Sequence, residues 1–182
     1  MLLNLIPIGL GLVIGLTTGG KLGNLAHLRV RWVWVVFAAF IVREAIVFRP
    51  LNRVDGVQYV YVASEILLIA WTIFHIRYVP AIWVVTAGSA LNLIVVLANG
   101  GFMPVLANHP GVFAGGHVGQ YILMGPSTNL NWLGDWINIP GPLGGSGSPG
   151  DVVIAIGIGI VLLLGTVNEP GETSRRIVSD PP

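Results

Sequence analysis

Long apolar stretches separated by short polar segments dominate the chain. Five of them approach the roughly 20 apolar residues that a helix needs to cross a bilayer. They cover residues 2–18, 32–48, 57–74, 81–98 and 151–167. Typical helix stops follow some of these stretches, such as Gly100-Gly101 after the fourth. The pattern therefore predicts an all-α fold, an integral membrane bundle of about five transmembrane helices.

The longest segment between two apolar stretches covers residues 100–150 and precedes the last predicted helix. Loops of this length are usually functional or disordered. Trp132, Leu133, Trp136 and Ile137 follow helical spacing within it, which predicts a short helix lying in the membrane interface. We expect residues 1–167 to form the transmembrane domain with residues 100–150 as its cap, and the polar residues 168–182 to form a disordered tail.

Composition supports a membrane protein and excludes several other classes. Charged residues make up 9% of the 182 residues, against about 25% in soluble domains. Because the chain has no cysteine, disulfide scaffolds and thiolate chemistry are excluded. The nine Lys and Arg residues are scattered, so no nucleic-acid site is predicted. Residues 2–16 lack a charged start and a cleavage site, which favours a retained span over a signal peptide.

The distribution of positive charge predicts the orientation. Six Lys and Arg residues lie in the first loop, the third loop and the tail, and two lie in the second loop and the long loop. The positive-inside rule then places the N-terminus outside, the C-terminus in the cytoplasm and the cap on the extracytoplasmic side. The predicted location is the inner (cytoplasmic) membrane, which the chain crosses several times.

Polar residues inside the predicted spans are the candidates for a binding or polar centre, because a bilayer makes them costly. They are Arg43, Glu44, Glu65 and Asn92, with Asn99 at the outer end of the fourth span. In one interpretation Arg43 pairs with Glu65 across adjacent antiparallel helices and stabilises the bundle. In the other, Glu65 relays protons or binds a polar head group.

Two aspartates on the outer side are the catalytic candidates if the protein is an enzyme. Asp151 follows Ser148-Pro149-Gly150 and is the expected N-cap of the last helix. Asp135 and Asp151 could act as a carboxylate pair if the fold brings them together. His109 and His117 match no strong metal motif, so no metal site is predicted. The residues identify no particular cofactor.

Glycines in the first span predict close helix packing. Gly11, Gly15 and Gly19 recur every four residues and form a small face that lets another helix approach. We expect this face to contact partner membrane proteins, and the lipid bilayer to surround the remaining surface.

Three motifs together resemble a family of small bacterial membrane proteins, domain of unknown function 5317. They are Gly20–Leu25, the Asn-Gly-Gly-Phe-Met-Pro-Val sequence at 99–105, and Leu133–Ile137 leading to residues 150–157. The second is the most specific. Pro149-Gly150 departs slightly from the expected lead into the last aspartate. The resemblance covers all five spans and supports the architecture, but it implies no established activity.

Asp151 at the start of an Ile- and Gly-rich helix also resembles the last helix of the lipoprotein signal peptidase, an intramembrane aspartyl protease. The rest of that enzyme's signature is absent, since Gly23-Asn24-Leu25 continues to Ala26-His27 rather than to an Asp-Arg.

Three functions therefore stay open. The leading hypothesis is a non-catalytic accessory or scaffold subunit of a membrane complex. The alternatives are a hydrolase that uses the two aspartates, and a carrier or sensor of a small lipid or quinone-like molecule that uses Glu44, Glu65 and Asn92 in one cavity.

Overall fold

A computed structural model describes residues 2–47, 51–107, 110–139 and 145–167. The predicted all-α fold is confirmed only in so far as the chain is mostly helical, and each apolar stretch contains one α-helix. The helices are α1 (Leu2–Thr17), α2 (Val33–Ala45), α3 (Val57–His75), α4 (Ile82–Ala98) and α5 (Pro149–Val167). By length and composition, α3 and α5 can cross a membrane, while α4 and residues 5–17 of α1 are shorter apolar helices. The predicted tail, 168–182, lies outside the described residues.

The helices pack side by side in the order α1, α5, α4, α3, α2. The last helix therefore lies between the first and the fourth, and α2 packs at the other end of the row against α3. Contacts of Gly11 with Gly159 and of Gly15 with Thr166 show that α1 runs parallel to α5. Contacts of Gly88 with Gly150 and of Val85 with Gly157 show that α4 runs antiparallel to α5.

The glycine face of α1 is occupied by α5 of the same chain. A Cβ atom at Gly11 would overlap the carbonyl oxygen of Gly159, and one at Gly15 would overlap the Thr166 hydroxyl. Gly19 differs, because it follows the helix with a φ of +95° and has open space where its Cβ would lie. Close packing is therefore present at Gly11 and Gly15, but within the chain rather than against a partner.

The segment between α1 and α2 crosses the ends of α5 and α3. The backbone N–H of Lys21 and the side-chain amide of Asn24 both donate to the carbonyl oxygen of Thr166, at 2.9 and 2.7 Å. His75, which is fully buried, accepts a hydrogen bond at Nε2 from the backbone N–H of Arg31 at 3.0 Å. Trp71 Nε1 donates to the Arg31 carbonyl oxygen at 2.9 Å. These bonds fix the segment although it connects helices at opposite ends of the row.

The cap contains short strands, so the fold is not purely all-α. They are β1 (Met103–Val105), β2 (His117–Val118), β3 (Tyr121–Leu123), β4 (Ile137–Ile139) and β5 (Gly145–Gly147). One sheet has the order β1-β3-β2, in which β1 and β3 are parallel and β2 and β3 antiparallel. The other pairs β4 with β5 in antiparallel register.

The predicted interfacial helix over Trp132–Ile137 is wrong. Asn131–Leu133 form a single 3-10 turn, after which the chain extends along β1. The backbone N–H of Asp135 donates to the Pro104 carbonyl oxygen at 2.8 Å, and the Leu106 N–H donates to the Asp135 carbonyl oxygen at 2.9 Å. A six-residue periodic pattern supports too few helical bonds to offset nucleation, so pairing with β1 prevails.

Candidate functional site

Arg43 of α2 and Glu65 of α3 form an ion pair inside the helix row. Glu65 is almost fully buried, and the Arg43 side chain is partly exposed. The Arg43 guanidinium carbon also lies 5.0 Å from the ring centroid of the buried Tyr61, one turn before Glu65. Arg43 and Glu65 are thus paired as the first interpretation of the sequence expected. Glu44, by contrast, is exposed.

A second polar group lies where α4 meets the start of α5. Asn92 Nδ2 donates to Asp151 Oδ1 at 2.9 Å, and the Ser148 hydroxyl donates to Asn92 Oδ1 at 2.8 Å. Asn92 and Ser148 are buried. Asn92 Nδ2 and Oδ1, Ser148 Oγ and Asp151 Oδ1 are therefore all hydrogen-bonded within the chain.

Ser148, not Asp151, is the N-cap of α5. The Asp151 backbone N–H donates to Ser148 Oγ at 2.9 Å, and the Ser148 N–H donates to Asp151 Oδ2 at 3.1 Å. This reciprocal pair is a capping box, with Pro149 in the first helical position where no N–H is needed. The predicted capping function of Asp151 is present, but it acts from the third helical position.

We expect Ser148→Ala to lower the free energy of unfolding by about 1–3 kcal/mol, because it removes the cap and leaves the buried Asn92 Oδ1 without its donor. Chemical denaturation in detergent measures this change. The matched control is Ser146→Ala at a half-exposed serine two residues earlier, for which we expect less than about 0.5 kcal/mol. Equal losses in the two variants would refute the proposed role of the cap.

Asp135 is buried in the cap with one carboxyl oxygen, Oδ1, that has no hydrogen-bond partner. Burial raises the pKa of this carboxyl well above its usual range, and the negative charge of Asp151 raises it further, while Arg43 opposes the shift. Burial and the charge of Asp135 also raise the pKa of Tyr121 to about 12. Asp135 and Tyr121 therefore lie within electrostatic range of Asp151 and Arg43.

The raised pKa of Asp135 predicts a pH-dependent stability. The carboxyl of the unfolded chain releases its proton at a pH of about 3.9. The folded one releases it only at a higher pH, so the folded state binds more protons between these two pH values. The free energy of unfolding then falls as pH rises from about 4, by at most about 1.4 kcal/mol per pH unit. Asp135→Asn should remove this slope and be the more stable form at pH 8, as measured by denaturation at several pH values. Parallel pH profiles for the two proteins would contradict the prediction.

Asn99 connects the end of α4 to the cap by hydrogen bonds and lies apart from the buried polar groups. Its side-chain amide donates to the carbonyl oxygen of Asn129 at 2.9 Å and accepts the Asn129 backbone N–H at 2.7 Å. Asn129 in turn donates to the Ala98 carbonyl oxygen at 3.0 Å. Asn99 therefore orients the turn that follows β3.

The direct contacts among the candidate residues are pairwise. Arg43 contacts Glu65, and Asn92 contacts Asp151. Across the described ranges no hydrogen bond joins Asp135 to Asp151, and both Asp151 oxygens are engaged with Asn92 and Ser148. Glu44, the third residue of the carrier hypothesis, is exposed, whereas Glu65 and Asn92 are buried.

Sequence reasoning missed Ser148, Tyr61 and Tyr121. The Ser-x-x-Asp spacing ahead of an apolar run is a capping-box signal and points to Ser148. Tyr61 lies four residues before Glu65, on the same helix face. No sequence signal places Tyr121 beside Asp135, because their proximity depends on how the cap strands pair.

No metal site was predicted at His109 and His117, and His109 lies outside the described residues. In the described ranges no three His, Asp or Glu side chains are grouped as metal ligands. His117 instead stacks on Phe102, with ring centroids 5.1 Å apart.

The fold and these polar groups define a class: a mostly helical protein with two helices able to cross a membrane and a small β-structured cap over paired polar residues. Within it the chain belongs to the DUF5317 family, a family of unknown function, whose model matches residues 27–163. The family resemblance is confirmed, although α1 and the Gly20–Leu25 motif precede the matched region. No curated protein and no solved structure matches the chain significantly.

Proposed function

We propose that the chain is a five-span integral membrane protein that acts as a non-catalytic accessory subunit of a membrane complex. The observation that carries this proposal is a belt of exposed apolar side chains on every helix. Leu10, Phe37, Leu67, Trp83 and Ile156, one on each helix, are each more than 40% exposed. Such extensive apolar surface is unfavourable in water and is expected of helices in lipid.

The engagement of the polar residues supports a non-catalytic role. The buried Glu65 and Asn92 already have partners in the chain, and Asp151 caps α5. A catalytic carboxylate has to reach its substrate within hydrogen-bond distance, whereas both Asp151 oxygens are held by the protein. These residues therefore stabilise the helix row rather than carry out a reaction.

The outer face of α2 is the surface that we propose for a partner helix. Gly11 and Gly15 of α1 are covered by α5, whereas α2, at the other end of the row, packs against α3 alone among the helices described. Trp34, Phe37 and Ile41 recur at helical spacing, and each is more than 60% exposed. Aromatic side chains supply much of the energy of protein interfaces, which favours this face for the subunit contact.

The topology is tested by single-cysteine labelling, because the natural chain has no cysteine. A membrane-impermeant maleimide should label Ser127→Cys, in an exposed turn of the cap, on intact cells. It should label Ser174→Cys in the C-terminal tail only after permeabilisation. The reverse pattern would invert the proposed orientation.

The subunit role is tested by native-gel purification from the source membrane together with site-specific photocrosslinking. A photoreactive residue at position 37 should join the chain to one defined protein. Trp83, equally exposed on α4, is the matched control position. A chain that migrates alone, with equal crosslinking from both positions, would refute the proposal.

A further inference from the structure

The cap contains an open cleft of about 430 Å³. This volume is within the range of pockets that bind small ligands. Its walls come from β1 and the residues after it, from the 3-10 turn at Pro110–Phe113, and from β2–β5. Most of the lining is apolar: Val105, Leu106, Ala107, Val112, Phe113 and Val118.

The polar part of the lining is small and uncharged. Asn138 and Ser146 lie directly opposite each other in the β4–β5 pair, so their side chains leave the same place on the cleft wall. Tyr121 is the third polar residue. None of the ten described residues that line the cleft carries a charge at neutral pH, so this lining offers nothing to pair with an ionic group.

Arg53, which is not a lining residue, stabilises one wall of the cleft. The Arg53 guanidinium donates to the carbonyl oxygens of Val112 and His117, at 2.6 and 2.7 Å. These bonds hold the 3-10 turn and β2 together without placing a charge in the lining. The apolar wall therefore has a fixed position on the cap.

The cleft lies close to the ends of the helices. Ser146 precedes the first residue of α5 by three positions, which is about 10 Å of extended chain. Leu106 and Val112, both in the lining, are large apolar side chains more than half exposed. In the proposed orientation this apolar opening lies at the level of the lipid head groups of the outer leaflet.

We propose that the cleft binds the hydrocarbon end of a neutral lipid that carries a hydroxyl or carbonyl group, with that group hydrogen-bonded by Asn138 and Ser146. The apolar wall buries the chain, and the facing amide and hydroxyl supply a donor and an acceptor. The uncharged lining that the described residues form disfavours anionic head groups. This site is distinct from the one expected from Glu44, Glu65 and Asn92, and it rests on the proposed membrane location.

The test is photolabelling of the full chain in lipid nanodiscs with a diazirine-bearing twelve-carbon alcohol, followed by mass spectrometry of the labelled peptides. We expect labels on Leu106, Val112 or Val118. The corresponding alkyl phosphate should label them about tenfold less, a difference of about 1.4 kcal/mol. Labels confined to the outward faces of the helices would overturn the proposal.

Two substitutions fill the cleft, and a third is the matched control. Val118→Trp and Ala107→Phe should each reduce cap labelling about tenfold, or by about 1.4 kcal/mol. Ser127→Trp places the same bulk on an exposed turn outside the lining and should leave the labelling unchanged. Undiminished labelling in two folded cleft variants, judged by elution and thermal midpoint, would refute the site. Failure of the chain to enter nanodiscs would instead refute the membrane location.

Discussion

Glu65→Leu should lower the free energy of unfolding by about 3–5 kcal/mol, because it leaves the Arg43 guanidinium without its partner inside the helix row. The remaining contact of Arg43 with the Tyr61 ring does not neutralise its charge. Leaving the partly exposed Arg43 cation unpaired between apolar helices costs more than the leucine gains by its apolar burial. Denaturation of the purified protein in detergent measures the loss.

Two further variants separate the unpaired charge from other effects. The double variant Arg43→Met/Glu65→Leu should recover most of the lost stability, since a buried pair replaced by apolar residues of similar size is often neutral. Glu44→Gln, at the exposed carboxylate beside Arg43, should change the unfolding free energy by less than about 0.5 kcal/mol. A double variant as unstable as Glu65→Leu would show that shape, and not charge, determines the result.

This ion pair was predictable because each of its residues interrupts an apolar stretch. Consecutive helices joined by a short connection pack antiparallel, which brings the end of one stretch beside the start of the next. Arg43 and Glu65 lie at corresponding depths in such a pair. The positions of the helices were also predictable. They followed from the length of the apolar runs, because few polar residues interrupt these runs.

The order of the helices was not predictable from the same pattern. Lipid-facing and protein-facing sides of these helices are both apolar, so hydropathy does not select neighbours. The glycines of α1 indicated close packing, but nothing in their spacing identified α5, more than 140 residues later, as the contacting helix. Because the sequence did not identify α5 as the neighbour, a partner protein was expected at this face.

The cap was the least predictable part, and it contains the buried Asp135. Its strands are two or three residues long, too short for an alternating pattern to appear. The burial of Asp135 depends on its pairing with β1, which only the tertiary structure specifies. Asp151 was better predicted, because capping depends on the few residues around it.

The second large expected effect concerns the contact between α1 and α5. Gly11→Val should lower the free energy of unfolding by at least about 1–3 kcal/mol, the usual cost of overpacking. The reason is that the new Cβ meets the backbone oxygen of Gly159, which cannot change rotamer to make room. The two helices then have to separate, and the bonds from Lys21 and Asn24 to Thr166 are strained with them.

Gly9→Val is the matched control, because Gly9 lies on the same helix and has nothing within 4 Å of its Cβ position. It carries the same change in helix propensity without the clash, so the difference between the two variants isolates the packing. Gly159→Val clashes with the Pro7 carbonyl oxygen and should resemble Gly11→Val. The double variant should cost less than the sum of the two single losses, because helices already separated by one substitution accommodate the other. Equal unfolding free energies for the Gly9 and Gly11 variants would show that α1 does not depend on this contact.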